Sequence, residues 1–240
     1  MSNIILYVIH NEESYLNKIV ANDSIKKFNL NKLSLDKIYQ RNELAENRFL
    51  IYLSKNLHLL EKYDYIGICA ASWNEKYKTH ENQVLPIEKI NTYADKFKKG
   101  IVYVAAPVFT WYEETINNHQ GMEVYLKELF ERNDFKKHGT SFYSNNFVCS
   151  KRIMIDFLKW WKIEFEYFFK KHGINYSYNS SNFSNYKPHV NCAYFYERLT
   201  ISYFANKKID ILKLHPENFK STINNRNNTI RRFNTQSKLL

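Results

Sequence analysis

The fold of this chain is decided by residues 47–73, NRFLIYLSKNLHLLEKYDYIGICAASW. The first half repeats leucine at the spacing of one helical face, which predicts an amphipathic helix carrying Leu50, Leu53, Leu57 and Leu60. Residues 65–71 are aromatic, β-branched or small with no polar alternation, as in a strand that is covered on both faces. A helix that leads into such a strand predicts an α/β protein with a largely parallel sheet.

The end of this strand is the first candidate for a binding pocket. Gly67 lies inside the strand, and an internal glycine often marks a bulge or the close approach of a backbone or ligand. Ligands of open α/β sheets bind outside the carboxyl ends of the strands. The predicted pocket wall is therefore the stretch just after Cys69, namely Ala70, Ala71, Ser72, Trp73 and Asn74. An ordinary core strand followed by a loop fits the local pattern equally well.

Residues 4–9, IILYVI, form a second apolar run and predict a first parallel strand. The polar loop after it, which begins His10-Asn11-Glu12, is the second candidate for the pocket. His10 and Glu12 have no partner at metal-ligand spacing, so a surface loop is favoured over a metal site.

The remaining elements are predicted from apolar periodicity. Residues 101–107, 141–150 and 209–214 read as strands, and residues 122–133 and 153–171 read as helices. The segment 111–114 and His119 are expected in a connection that could reach the site. The aromatic residues of 153–171 follow helical spacing, which favours a core face over a platform for stacking bases.

Two polar pairs interrupt apolar segments. Asn145 and Asn146 must either bond to backbone at a bend or hold a polar ligand, because an unsatisfied buried amide is unfavourable. Glu197 and Arg198 are either a structural ion pair or functional residues.

Composition limits the possible functions. The 240 residues carry a formal net charge of +11, and 17% of them are aromatic, which invites a nucleic-acid-binding interpretation. Lysines are spread along the chain, and residues 220–240 form a basic polar tail after a domain of residues 1–219. We interpret that tail as a solvated terminus, with contact to anionic membrane as the alternative. The three separated cysteines and the lack of a signal peptide predict a cytoplasmic protein.

Several common enzyme classes are not supported. The sequence has no Gly-rich phosphate loop, no H-E-x-x-H, no C-x-x-C and no G-x-S-x-G motif. It also lacks Asp-x-Asp, the usual carboxylate pair that holds a divalent cation against a sugar nucleotide, so we expect no metal and no firm cofactor.

Three short blocks resemble one known family. The blocks are Asn47 and Lys55-Asn56 followed by the strand Asp64–Cys69, then Asn145-Asn146-Phe147-Val148, and finally Glu197-Arg198-Leu199. In this order they are similar to small bacterial glycosyltransferase-like proteins of capsular and exopolysaccharide gene clusters. Where that family has His-Tyr-Arg-Arg after the strand, this chain has Ala70-Ala71-Ser72-Trp73, which questions how a donor diphosphate would be held.

The resemblance implies a Rossmann-like α/β domain of the A-type glycosyltransferase fold, with a mixed, mostly parallel central sheet flanked by helices. It implies sugar transfer from a nucleotide sugar to a hydroxyl of a glycan or lipid-linked glycan acceptor. Glu197 would be the catalytic base or an anchor for the acceptor, and Trp73, His119, Asn145 and Asn146 would contact the acceptor or sugar. Donor contacts are expected from His10, Asn11, Asn47, Lys55, Cys69, Ala70, Ser72 and Arg198. The alternatives are a basic nucleic-acid-binding protein or a catalytically inactive relative.

Overall fold

The computed structural model describes residues 2–73, 84–105, 107–137, 139–142, 145–178 and 191–219. The strands in these ranges are β1 Ile4–His10, β2 Ile25–Asn29, β3 Tyr65–Ala70, β4 Ile101–Val104, β5 Pro107–Val108, β6 Ser141–Phe142, β7 Phe147–Ser150 and β8 Asp210–Lys213. The α-helices are α1 Glu13–Leu16, α2 Asn47–Lys55, α3 Ile87–Ile90, α4 Trp111–Asn118, α5 Glu123–Asn133, α6 Lys151–His172 and α7 Asn191–Asn206. Asn74 and the tail 220–240 lie outside the described residues.

Six strands form one sheet in the order β2-β1-β3-β7-β4-β8. The pairs β1–β2, β1–β3 and β4–β8 are parallel, whereas β7 is antiparallel to both β3 and β4. All strands of this sheet except β7 therefore run in the same direction. The short strands β5 and β6 form a separate antiparallel pair.

Alternate residues of each central strand enter two different cores. In β1, Ile5 and Tyr7 pack on one face of the sheet, and Leu6 and Val8 pack on the other. The first face is covered by α2, α6 and α7, and the second by α1, α3 and the turn Asn91–Lys96. The predicted strand at 65–71 is confirmed as β3, which is buried along its whole length.

Gly67 has a packing reason that involves no ligand. An added Cβ at Gly67 would lie 2.4 Å from Leu6 Cδ2 and 2.9 Å from Val148 Cγ2, on the neighbouring strands β1 and β7. Glycine is therefore required at this position because the adjacent side chains fill the space above it.

Several segment assignments need correction. The leucine-rich helix at 47–60 stops at Lys55, and Leu57–Leu60 form a 3₁₀ turn instead. The expected connection at 111–114 is the start of α4, because Trp111 and Thr115, one helical turn apart, are both fully buried. The predicted strands at 101–107 and 141–150 are each split in two, and Pro107 begins β5. The helices predicted at 122–133 and 153–171 are confirmed as α5 and α6.

Candidate functional site

The polar residues named from the sequence gather mainly at one edge of the sheet. The parallel strands β1, β2, β3, β4 and β8 all end at this edge, and β7 begins there because it runs in the opposite direction. His10 and Asn11 therefore lie at the same edge as Ala70 and as Asn145 and Asn146, which directly precede β7. This is the edge where open α/β sheets bind ligands.

A buried arginine that sequence reasoning did not single out organises the β1–β2 end of this edge. Arg48, in the first turn of α2, is 2% exposed. Its Nη2 donates to Asn11 Oδ1, and its Nη1 donates to Asn31 Oδ1 at 3.1 Å and to Asn42 Oδ1 at 3.2 Å. Its Nε donates to the Ala45 carbonyl at 3.2 Å. Arg48 thus joins the end of β1, the turn after β2 and the residues before α2.

The signal for Arg48 in the sequence was weak. Arginine is usually exposed, and no local pattern distinguishes a guanidinium that is buried by long-range partners. Asn11 was named from the sequence as a donor contact, whereas Asn31 and Asn42 gave no signal, because the fold brings the connection between β2 and α2 against the end of β1. Burial lowers the pKa of Arg48, and the charge of Glu43 opposes that shift.

Asn145 and Asn146 connect β7 with its surroundings. Asn146 Oδ1 accepts the backbone N–H of Ala70 at 2.7 Å, so the last residue of β3 is held by a side chain. Asn145 Oδ1 accepts the Thr200 hydroxyl from α7 at 3.0 Å. Both amides are buried, and Asn146 Nδ2 has no hydrogen-bond partner among the described residues. The backbone pairing expected from the sequence therefore holds for Asn146, whereas the oxygen of Asn145 bonds to a side chain of α7.

A second buried arginine lies on α7. Arg198 is 5% exposed, and its Nε donates to Thr115 Oγ1 of α4 at 2.9 Å. Its Nη1 is 3.5 Å from Glu197 Oε2, and the Glu197 side chain remains 19% exposed. The predicted pair is therefore a real ion contact, and the Glu197 side chain is partly exposed beside a buried positive charge.

His119 follows α4 and lies near the same arginine. The imidazole is 2% exposed and lies 4.7 Å from the ring of Tyr194, centre to centre. Burial, together with the charge of Arg198, lowers the pKa of His119 to about 4. His119 is thus neutral near pH 7 and can exchange hydrogen bonds without carrying charge.

The stretch after β3 packs into the core instead of projecting charged groups. Cys69 is buried in the second core, and burial raises the pKa of its thiol. Ala70 and Ala71 are buried, and Ser72 is partly buried. Trp73 is 1% exposed, and its Nε1 donates to the Leu85 carbonyl at 2.9 Å. The side chains of this stretch are therefore packed at the carboxyl edge of the sheet and supply no cation.

Two predicted donor contacts are engaged with partners of their own. Asn47 is buried, and its Nδ2 donates to the carbonyls of Leu44 and Ala193, both at 3.1 Å, so it joins α2 to α7. Lys55 is at the other end of this nine-residue helix, about 12 Å away along its axis, where it pairs with Asp36. The Lys55 Nζ is also 4.8 Å from the centre of the Tyr39 ring. The structure does not bring Lys55 to the edge.

His10 is held locally. Its Nδ1 accepts the Glu12 backbone N–H at 2.9 Å, and its ring stacks on Tyr15 at 4.2 Å. In the ranges that the structure describes, no cluster of three or more His, Cys, Asp or Glu side chains is arranged to hold a metal ion. Nor is any helix in those ranges both long and apolar enough to cross a membrane.

The aromatic residues of α6 are core residues. Phe157, Trp161, Phe165 and Phe168 have between 0% and 1% exposed surface. Trp161 and Phe165 stack on one another at 4.9 Å inside the protein. This stripe therefore presents no aromatic surface to nucleic acid, as its helical spacing predicted.

The central sheet is mixed and mostly parallel, with helices on both faces, which is the arrangement of a Rossmann-like α/β domain. Comparison with solved structures finds the apo structure of WbbM, a bifunctional glycosyltransferase, at a TM-score of 0.56 and 16% sequence identity. The match covers 89% of this chain and 45% of the WbbM chain, so this chain spans less than half the length of that protein. No protein-family profile and no curated protein sequence matches the chain. At this identity the likeness establishes the fold, and it confirms the predicted fold class.

Proposed function

We propose that this protein is a glycosyltransferase that moves a sugar from a nucleotide-sugar donor to a hydroxyl of a surface-glycan or lipid-linked glycan acceptor. The observation that carries the proposal is the likeness of its fold to WbbM, a bifunctional glycosyltransferase, over 89% of the chain. The polar residues at the carboxyl edge of the sheet are compatible with this role, since they supply hydrogen-bond donors, hydrogen-bond acceptors and a carboxylate.

The reaction has two physical requirements. A carboxylate must take the proton of the attacking hydroxyl if the configuration is inverted, and positive charge or dipoles must stabilise the departing diphosphate. Glu197 is the carboxylate we assign to the first task, because it is accessible and its neighbour Arg198 holds it in place at 3.5 Å. We propose that transfer proceeds without a divalent metal, because the chain has no Asp-x-Asp motif.

Donor binding tests the proposal directly. The protein is incubated with a panel of nucleotide sugars and the matching nucleoside diphosphates, while thermal stability and slow hydrolysis of the donor are measured. We expect one nucleotide to raise the melting temperature and its sugar conjugate to be hydrolysed. A panel in which no nucleoside diphosphate changes either quantity would refute the proposal.

The same preparation separates the two alternatives. A catalytically inactive relative would bind a donor and never hydrolyse it, and a Glu197→Ala variant would leave glycan synthesis in cells unchanged. A nucleic-acid-binding protein would instead bind single-stranded oligonucleotides with an affinity that falls steeply as salt is added. A basic protein without a nucleic-acid site would bind oligonucleotides only weakly.

A further inference from the structure

The three asparagines around Arg48 form what we call the amide rim: Asn11, Asn31 and Asn42. All three are exposed, whereas the guanidinium that they surround is 2% exposed. Asn11 directly follows β1 and Asn31 lies just beyond β2, so the rim is at the carboxyl edge of the sheet. The rim thus covers a buried charge at the edge where ligands bind.

The chemistry of arginine fixes the orientation of these amides. A guanidinium only donates hydrogen bonds, so each rim side chain must turn its oxygen toward Arg48. The Nδ2 of Asn31 then donates to the Asn11 backbone carbonyl at 3.1 Å. Asn11 and Asn42 direct their N–H₂ groups away from Arg48. The outer side of the rim therefore offers hydrogen-bond donors.

The charge of Arg48 is not balanced within the described residues. None of their carboxylates lies within 4 Å of its nitrogens, and all four of its hydrogen bonds go to neutral oxygens. Glu43, whose charge raises the pKa of Arg48, lies 3.7 Å from Arg41. The first turn of α2 contains no acidic residue, and the helix dipole adds positive potential there.

Two other arginines show how such charges are paired elsewhere in this protein. Arg132 donates to the buried Glu164 at 3.1 Å, and Arg198 lies 3.5 Å from Glu197. Buried charges are normally paired in this way, because an isolated ion is costly to remove from water. Arg48 departs from that pattern, which is the arrangement expected where an anion supplies the missing charge.

We propose that Arg48 and the amide rim form an oxyanion subsite that takes a phosphate group through the N–H donors of Asn11 and Asn42. On the basis of the proposed function, this group belongs to the diphosphate of the nucleotide sugar. Arg48 is then a positioning residue, since it orients the two amides and places a positive charge behind them. The stretch Ala70–Trp73 contributes no cation, so this charge would stabilise the departing diphosphate.

The test uses an exchange that keeps the shape of the rim and cancels the charge. Asn42→Asp places a carboxylate of the same size against Arg48, and Asn11→Asp does so from the other side. Both variants are expected to melt at a higher temperature than the wild type, because the buried guanidinium gains a partner. We expect them to bind inorganic pyrophosphate at least tenfold more weakly, measured by calorimetry at constant ionic strength.

The matched control is Asn22→Asp, which adds the same charge at an exposed asparagine near the start of β2, at the opposite edge. It should leave pyrophosphate affinity within twofold of the wild type. A rise in melting temperature for Asn42→Asp with unchanged pyrophosphate affinity would overturn the subsite. It would show that Arg48 has only a structural role, linking the connection after β1 to the one between β2 and α2.

Neutral nucleosides distinguish a phosphate from a base. If Asn42→Asp weakens the binding of uridine, cytidine, adenosine or guanosine as much as that of pyrophosphate, the rim binds the nucleobase and the oxyanion assignment is wrong. The subsite and the proposed function can be tested separately. If the wild type binds pyrophosphate, Asn42→Asp abolishes that binding, and no nucleotide sugar is turned over, the subsite is supported and the transferase function is refuted. Turnover by Asn42→Asp with unchanged KM refutes the subsite alone.

Discussion

The two buried arginines at the edge of the sheet are held in opposite ways. Arg198 reaches a hydroxyl of α4 and has the carboxylate of Glu197 3.5 Å away. Arg48 reaches only neutral oxygens, three of which belong to exposed asparagines. Two arginines that are both buried therefore differ in whether a carboxylate balances their charge. The charge of Arg198 is balanced by a carboxylate, whereas Arg48 holds a positive charge behind a rim of exposed asparagines.

This difference divides the work that a glycosyltransferase must do. The Arg198 region holds a carboxylate and a neutral imidazole, which are groups that move protons. The Arg48 region holds donors and a fixed charge, which are groups that bind anions. Proton transfer at one region and anion binding at the other is the assignment that the following variants can break or sharpen.

The largest expected effect comes from removing the charge of Glu197. In Glu197→Gln the side chain keeps its shape but can no longer accept a proton, so we expect transfer or donor hydrolysis to fall by about 10²- to 10⁴-fold. Binding of the nucleoside diphosphate should stay close to that of the wild type, because it depends on the other region. Turnover and calorimetry on the same preparation measure both quantities.

Glu113→Gln is the matched control for this variant. Glu113 is exposed on α4, the helix that also supplies Thr115, and the substitution removes one carboxylate from that helix. It should leave turnover within twofold of the wild type. Equal losses in both variants would mean that general charge, and not Glu197 itself, supports the activity.

The next effect is the acid sensitivity of the Arg198 region. The pKa of His119 is lowered to about 4 in the fold, whereas an unfolded histidine titrates near 6.5. The unfolded state therefore binds the proton first, and stability is lost as pH falls from about 6.5 to 4. The two pKa values correspond to about 3 kcal/mol of unfolding free energy. His119→Gln should show a correspondingly shallower loss in urea unfolding between these pH values.

His58→Gln provides the comparison for His119. His58 is exposed on the Leu57–Leu60 turn, so its replacement should leave the pH dependence of stability as it is in the wild type. Identical pH slopes for His119→Gln and the wild type would show that the imidazole is not kept neutral by Arg198 and burial.

The smallest effect concerns the bond that attaches α7 to the start of β7. Thr200→Val preserves volume and leaves Asn145 Oδ1 buried without its donor at 3.0 Å. An unsatisfied buried acceptor costs about 1–3 kcal/mol, so we expect a loss of that size in chemical unfolding. The control is Thr92→Val, an exposed threonine whose hydroxyl bonds to Lys89, which should change stability by less than about 0.5 kcal/mol. Pyrophosphate binding at the Arg48 region should be unaffected by either.

The sequence predicted the sheet better than the site. Strands β1 and β3 were readable because continuous apolar runs are required when both faces are covered, as they are at Ile66 and Tyr65. Long helices such as α6 were readable because one face carries the whole aromatic stripe. Helix α4 was missed because only two of its residues, Trp111 and Thr115, are buried.

The site depends on contacts that no local pattern records. Asn145 was suspected because an amide in an apolar run needs a partner, yet its partner Thr200 is 55 residues away. Arg48 was missed because its side-chain partners lie at separate points of two connections, after β1 and between β2 and α2. Lys55 was expected at the donor, but the helical rise carries it to the far end of α2 beside Asp36. Its expected role stays a prediction that the geometry does not favour.

The central claim is that a nucleotide binds at the carboxyl edge of this sheet, between the amide rim and Glu197. The most direct measurement is a crystal structure of the protein with the nucleoside diphosphate that stabilises it most. We predict electron density with phosphate oxygens within hydrogen-bond distance of Asn11 Nδ2 and Asn42 Nδ2. Density that lies only in the small cleft beside Lys55 and Trp161, or an empty edge at saturating nucleotide, would contradict the account.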